Sequence, residues 1–242
     1  TRSQRGRRKP KPKWRERDQE MVDEIVARNS CAVDDIEAAS PINLTTFARG
    51  CGGVAEYLVW NLFPGDPFIC VGKSMRAFAT RPKSFFGFNP QTRERHDLHT
   101  LSLIVPSPMT AQKGTTQTGR ISEHTLDATG ERRFIVAEFD CEPDKDRQAS
   151  LIMELGRSMP MVLAVDSGGK SLHSSFYVAD KTEEHTRRWF DFAVSIGADR
   201  GLWTRSQFVR MPGGTRFKPG DPTHGAFQRP FYFDPSAMEV AA

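Results

Sequence analysis

Arg133-Phe-Ile-Val-Ala-Glu-Phe-Asp140 reads as an apolar strand that ends in two carboxylates. Its counterpart, Val162-Leu-Ala-Val-Asp-Ser-Gly-Gly-Lys-Ser-Leu-His173, reads as a strand, a glycine turn, and a Ser-x-His on the strand that follows. Between them Asp144 caps a helix to about Ser158, with Ala149, Ile152, Met153 and Leu155 as its apolar stripe. Leu172 to Val178 alternates as a third strand. Thr182 caps a second helix that places Glu183 and Glu184 in its first turn, where the helix dipole favours acids, and that stops at Gly197. Gln207 to Met211 is a fourth strand, closed by Pro212-Gly213-Gly214. The order β-α-β-β-α-β predicts a split, RRM-like unit.

In such a sheet the first and third strands are central neighbours and the fourth lies beside the first. Helices cover one face and leave the other open. Side chains alternate along a strand. Ile135, Ala137 and Phe139 therefore meet the helices, and Glu138 and Asp140 point together onto the open face. Leu172, Phe176 and Val178 face the core, which turns Ser171 and His173 toward the carboxylates. Arg210 faces outward on the fourth strand, and Asp199 reaches the same place from a loop. Paired carboxylates suit divalent metal ions. The turn Ser167-Gly168-Gly169-Lys170 with Ser171 and His173 supplies backbone and charge-assisted donors for phosphates. A site with both suggests nucleotidyl transfer supported by Mg²⁺ or Mn²⁺. Each piece alone is weak, since Glu-x-Asp at a strand end is usually a solvated edge. The signal is their convergence on one face.

Upstream, Asp18 caps a helix to about Arg28 with Met21, Val22 and Ile25 inward, and a second helix covers Val54 to Leu62. Pro67 to Val71 and Leu101 to Val105 read as short buried strands, and Phe231 to Phe233 as an edge strand. Residues 72–97 give little pattern. Pro106 to Gly130 is a long Thr/Ser/Gly-rich loop carrying Lys113, Arg120 and His124, and long loops in compact domains are often functional.

The 242 residues suffice for a sizeable core. No run of about 18 apolar residues predicts a membrane span. No apolar signal segment opens the chain, which begins at Thr1 as a processed protein or a piece of a longer one does. Four scattered cysteines, Cys31, Cys51, Cys70 and Cys141, fit reduced thiols in a cytoplasmic protein. The net charge is +4, unevenly spread. Residues 1–17 hold nine Lys and Arg against Glu16, a balance of +8 that leaves −4 for the rest. The body is thus no basic clamp in bulk, and residues 1–17 are either a disordered solvated tail or a phosphate-binding arm.

Taken together, these residues resemble the archaeo-eukaryotic primase superfamily, the primase-polymerases of plasmids, phages and mobile elements. Glu138-Phe139-Asp140 is similar to its first acidic motif, with Glu where a leading Asp is more usual. Ser171-Leu172-His173 matches its Ser-x-His motif. Ala198-Asp199 resembles the third motif, a small residue before an acid, and Gln207 through Arg216 resembles the closing segment. Leu62-Phe-Pro-Gly-Asp66 and Thr125 through Gly130 are also similar, so the likeness covers roughly residues 50–235. The resemblance implies an α+β primase-type catalytic domain over residues 18–242, with an N-terminal αβ module (18–132) and an RRM-like module (133–235). It implies Glu138, Asp140 and Asp199 as metal ligands and Glu138, Asp140 and His173 as catalytic residues. Ser167 to Ser171, His173 and Arg210 would hold the nucleotide, and Lys113, Arg120 and Arg216 the nucleic acid. The expected partners are a single-stranded DNA template, nucleoside triphosphates and a replicative helicase, in a bacterial, phage or plasmid setting.

Two other readings stand beside it. A non-catalytic relative that binds nucleic acid is favoured by Glu138, because the extra methylene shifts the carboxylate by about 1.5 Å. Ala164 to Ser171 also fits a relaxed P-loop, which requires a helix after Lys170 where the pattern predicts a strand. His96 and His99 supply only half of a zinc site.

Overall fold

The computed structural model describes residues 13–47, 53–88, 92–218 and 221–239. The helices are α1 (Gln19–Asn29), α2 (Val33–Ala38), α3 (Gly53–Leu62), α4 (Lys145–Gly156) and α5 (Glu183–Ser195). The strands of the first half are β1 (Phe68–Ser74), β2 (Ala77–Pro82), β3 (Gly87–Phe88), β4 (Arg95–His96), β5 (Leu103–Ile104), β6 (Gly114–Thr115) and β7 (Ile121–Ser122). Those of the second are β8 (Phe134–Glu138), β9 (Met161–Asp166), β10 (Leu172–Tyr177), β11 (Val209–Arg210), β12 (Thr215–Lys218), β13 (Asp221–Phe227) and β14 (Arg229–Phe233). The fold is mixed α+β with antiparallel sheets.

The helix starts follow local chemistry. The Asp18 carboxylate accepts the Met21 N–H, Asp144 accepts from Asp146, and the Thr182 hydroxyl accepts from His185. Each cap satisfies an N–H that the first turn leaves without an intrahelical partner. Gly197 adopts φ +105°, a left-handed conformation that ends the α5 segment. Along α4 the buried side is Gln148, Ala149, Leu151, Ile152 and Leu155; Met153, expected in that stripe, is exposed.

One sheet has the order β14-β9-β10-β8. Its β8, β9 and β10 have the neighbour relations expected of the first three strands. The fourth does not. Val209 and Arg210 pair with Ile104 and Leu103, in a second sheet of order β11-β5-β1-β2. The free edge of β8 is instead met by the turn Arg200–Trp203, and the Asp199 N–H donates to the Glu138 carbonyl at 2.9 Å. β14 closes the opposite edge, where Pro230 is tolerated because an edge strand has one side without ladder bonds.

A second correction follows from the first. The face expected to be open is roofed by the other sheet, with Phe134, Val136, Leu163 and Val165 turned toward Ile104 and Val209. Ile135, Val136 and Ala137 are all buried, so β8 is apolar on both sides. Only its C-terminal end, at Glu138 and Asp140, comes out from under that roof.

Part of the expected tail is docked. Trp14 packs edge-on against Phe190 and Trp203, with ring centroids 5.4 and 5.3 Å away, and the Arg187 guanidinium lies 4.8 Å over its ring. Arg15 pairs with Asp191, and Arg17 with the buried Glu142, which Arg147 also grips at 2.7 Å. Residues 1–12, the rest of that segment, lie outside the described residues. The cause is Trp14, an amphipathic ring whose burial outweighs the solvation of its charged neighbours.

Candidate functional site

β8 and β10 pair so that Glu138 stands directly opposite His173. His173 Nε2 lies 3.0 Å from Glu138 Oε1, and both side chains are largely buried. The ring nitrogen is off the line of a hydrogen bond, and His173 Nδ1 has no partner either. Ser171 donates its hydroxyl to the same Oε1 at 2.6 Å. Burial works against the charge on Glu138. The His173 ring, the Ser171 hydroxyl and the Arg210 guanidinium outweigh it and hold the carboxyl down at about 2.

Ser171 is itself clamped. Gln148, fully buried on α4, donates to the Lys170 carbonyl and accepts the Leu172 N–H, fixing the backbone on both sides of Ser171. Sequence reasoning missed this residue because a Gln on a helix reads as surface.

At the end of β8 a cleft of about 400 Å³ opens between the two sheets. Glu138, Asp140, His173, Asp199, Arg210 and Arg216 all line it. Asp140 and Asp199 are exposed, and neither pairs with a cation among the described residues. Asp199 is oriented by accepting the Gly201 N–H and by its own backbone bond to Glu138. Arg210 is half-buried; burial and the neighbouring Arg216 lower its pKa while Glu138 and Asp140 raise it. Neither arginine has an ion-pair or hydrogen-bond partner among the described residues. Two adjacent guanidiniums without carboxylate partners, facing a cleft, constitute an anion-binding arrangement.

Other expected residues are placed elsewhere. Ser167, Gly168, Gly169, Lys170 and Ser171 do not line the cleft. Ser167 is fully buried with its hydroxyl 3.3 Å from that of Ser171. Gly168 takes φ +69° beneath the β12–β13 hairpin, where a Cβ would come within 2.9 Å of Ala226 Cβ. Gly169 lies against the Arg216 guanidinium, 2.8 Å from where a Cβ would be, so the turn supports that arginine from below. Lys170 reaches the Asp140 carbonyl at 3.5 Å. A strand follows Lys170, so the P-loop geometry is not formed. Lys113 and Arg120 are exposed on the β6–β7 hairpin and do not line the cleft. That long loop approaches the cleft through His124, whose ring packs 4.1 Å from Phe208.

The second sheet contributes Lys73, Ser74, Met75, Ser102, Gln207 and Phe208 to the cleft wall. Met75 is more than half exposed on the β1–β2 turn. The available signal was the polar run Lys73-Ser-Met-Arg76 between two apolar strands, which marks a turn but not what the turn faces.

The donor set fits hard divalent cations in part. Asp140 and Asp199 offer carboxylate oxygens free of cations, while Glu138 Oε1 is already engaged. Among the described residues, the carboxylates of the cleft are not gathered within 4.8 Å of one another, and the group that is comprises Glu56, Asp97 and His99. Comparison of the chain with family models, with curated proteins and with solved structures gives no match.

Proposed function

We propose that the protein is a metal-dependent nucleotidyl transferase of the primase-polymerase kind, acting on nucleoside triphosphates along a single-stranded DNA template. One observation carries the reading: three carboxylates and three cationic side chains share a single cleft. Asp140 and Asp199 would hold the divalent ions, with the buried Glu138 behind them. Bound Mg²⁺ or Mn²⁺ supplies neutralisation of the triphosphate and activation of the attacking hydroxyl. Arg210 and Arg216 grip phosphate oxygens, and Gly169 gives Arg216 room to lie flat across the turn. His173, held beside Glu138, presents a further ring N–H donor. No helix among the described residues is long and apolar enough to cross a membrane. Action in the cytoplasm of a bacterial host beside a replicative helicase belongs to the same proposal.

A second reading is a nucleic-acid-binding relative without catalysis. It is favoured by the engagement of Glu138 with Ser171 and His173, and by carboxylates that are not gathered at ligand spacing. Incubation with primed and unprimed single strands, labelled ribo- and deoxynucleotides, and Mg²⁺ or Mn²⁺ separates the two. Metal-dependent extension supports the transferase. DNA binding without incorporation under every combination supports the second reading.

A further inference from the structure

We propose that Glu56, Asp97 and His99 form a second metal site, outside the cleft, for one divalent transition ion of the zinc type. The inference does not rest on the nucleotidyl-transfer reading. Each residue offers one ligand atom, and the three atoms lie within 4.8 Å of one another. Glu56 comes from α3, and Asp97 and His99 from the turn Leu98–Thr100 and its cap, so the set joins two elements remote in sequence.

Two unpartnered atoms point to a ligand. Glu56 Oε2 and His99 Nδ1 are both shielded from solvent, and neither has a hydrogen-bond partner. Buried polar atoms are nearly always satisfied, so two orphans on residues of one cluster call for a group that reaches both. The two atoms make no hydrogen bond with each other, and a divalent cation would satisfy both. The supporting bonds are in place: the Leu98 N–H donates to Glu56 Oε1 at 3.0 Å, leaving Oε2 for the ion, and Arg95 holds Asp97 Oδ1. Such outer bonds orient ligands in metal sites. Burial raises the Glu56 pKa, and a bound cation would reverse that.

The ligand types choose the ion. One imidazole nitrogen with two carboxylates suits zinc and its first-row neighbours and disfavours magnesium and calcium. Three protein ligands leave a fourth position for water. The effect would be a cross-link. The chain after His99 carries Leu101 and Ser102, whose carbonyls accept the Thr215 and Met211 N–H groups, and Ser102 Oγ donates to the Thr215 carbonyl. Those bonds hold the strands that bear Arg210 and Arg216.

The test is Zn²⁺ titration of the chelator-treated full chain by calorimetry, with Co²⁺ absorption to report the ligands. Asp140→Asn serves as the background, so that binding in the cleft does not contribute. One equivalent is expected, with a higher melting temperature on Zn²⁺ addition and no thiolate charge-transfer band. Glu56→Gln, which is isosteric, and His99→Ala should each weaken binding at least about tenfold and abolish the thermal shift. Far-UV circular dichroism establishes that both variants are folded; if His99→Ala is not, Glu56→Gln alone decides. No uptake, uptake unchanged in the folded variants, or a Co²⁺–thiolate band would overturn the proposal. With Asp140 restored, Glu56→Gln that loses the site but keeps DNA synthesis, or a wild-type chain that binds Zn²⁺ here but makes no DNA, shows that the two proposals fail separately.

Discussion

Glu138 and His173 face each other across the β8–β10 ladder, with Nε2 3.0 Å from Oε1, and Ser171 closes on the same oxygen from the next residue but one. This buried pair sits behind the exposed Asp140 and Asp199. The arrangement divides the labour of the acids: Glu138 is committed to holding its neighbours, and the outer two remain available.

Asp140→Asn should abolish metal-dependent nucleotide incorporation while leaving the melting temperature and DNA affinity nearly unchanged. Asp140 is exposed and has no cation partner among the described residues, so its charge contributes little to the fold. Incorporation at the wild-type rate in this variant would remove Asp140 from the metal site and with it the proposed chemistry.

The Glu138 carboxyl links stability to acid. Its pKa falls from 4.5 to about 2 on folding, so its contribution is fully present above pH 4.5 and is lost as the pH falls through about 2. At about 1.4 kcal/mol per pKa unit, the depression corresponds to at most roughly 3–4 kcal/mol. Denaturant unfolding between pH 5 and 2 should therefore show a steeper loss of stability for wild type than for Glu138→Gln. Parallel curves would mean that the pair contributes nothing. In His173→Ala the carboxyl should titrate higher than in wild type, which a carbon-13 NMR titration reads directly.

The elements with local signatures were legible in the sequence. Asp18, Asp144 and Thr182 each announce a helix through cap chemistry that acts within three residues, and the alternation of β8 and β10 correctly put Glu138 beside His173. What was not legible is pairing at a distance. β11 has only two residues, and nothing within Val209–Arg210 says that its partner is Leu103–Ile104 rather than β8. The β1–β2 turn contains neither Gly nor Asn, so its only signal was the short run Lys73-Ser-Met-Arg76, which does not say that the hairpin brings Lys73 over the cleft. The same holds for the phosphate-holding assignment of Ser167 and Gly168. Their composition is that of an anion-binding turn, but Gly168 lies beneath the β12–β13 hairpin and Ser167 is buried beside Ser171.

Arg210→Ala and Arg216→Ala should each weaken triphosphate binding by about ten- to a hundredfold, since a charge-assisted hydrogen bond contributes roughly 1.5–3 kcal/mol. Lysine at either position should restore only part of that, because it lacks the planar fork. Gly169→Ala should lower affinity as well, by displacing the Arg216 guanidinium that lies 2.8 Å from the new methyl position. Calorimetric titration of a non-hydrolysable triphosphate checks all three; affinities matching wild type throughout would move phosphate binding out of this cleft.

The N-terminal segment separates into two parts with different expected roles. Residues 13–17 are docked through Trp14, Arg15 and Arg17, whereas residues 1–12 carry six Lys and Arg and no acid. Trp14→Ala should cost about 2 kcal/mol of stability, less than the roughly 3–5 kcal/mol of a fully buried ring, because Trp14 is only partly buried. It should leave the salt dependence of DNA binding alone. Removing residues 1–12 should do the opposite: the melting temperature stays, and the plot of log affinity against log salt flattens. Each phosphate neutralised on a single strand contributes about −0.7 to that slope, so losing three or four contacts changes it by roughly 2 to 3. A slope untouched by the truncation, with affinity lost instead on charge reversal of Lys113 and Arg120, would assign the template to the β6–β7 hairpin rather than to the arm.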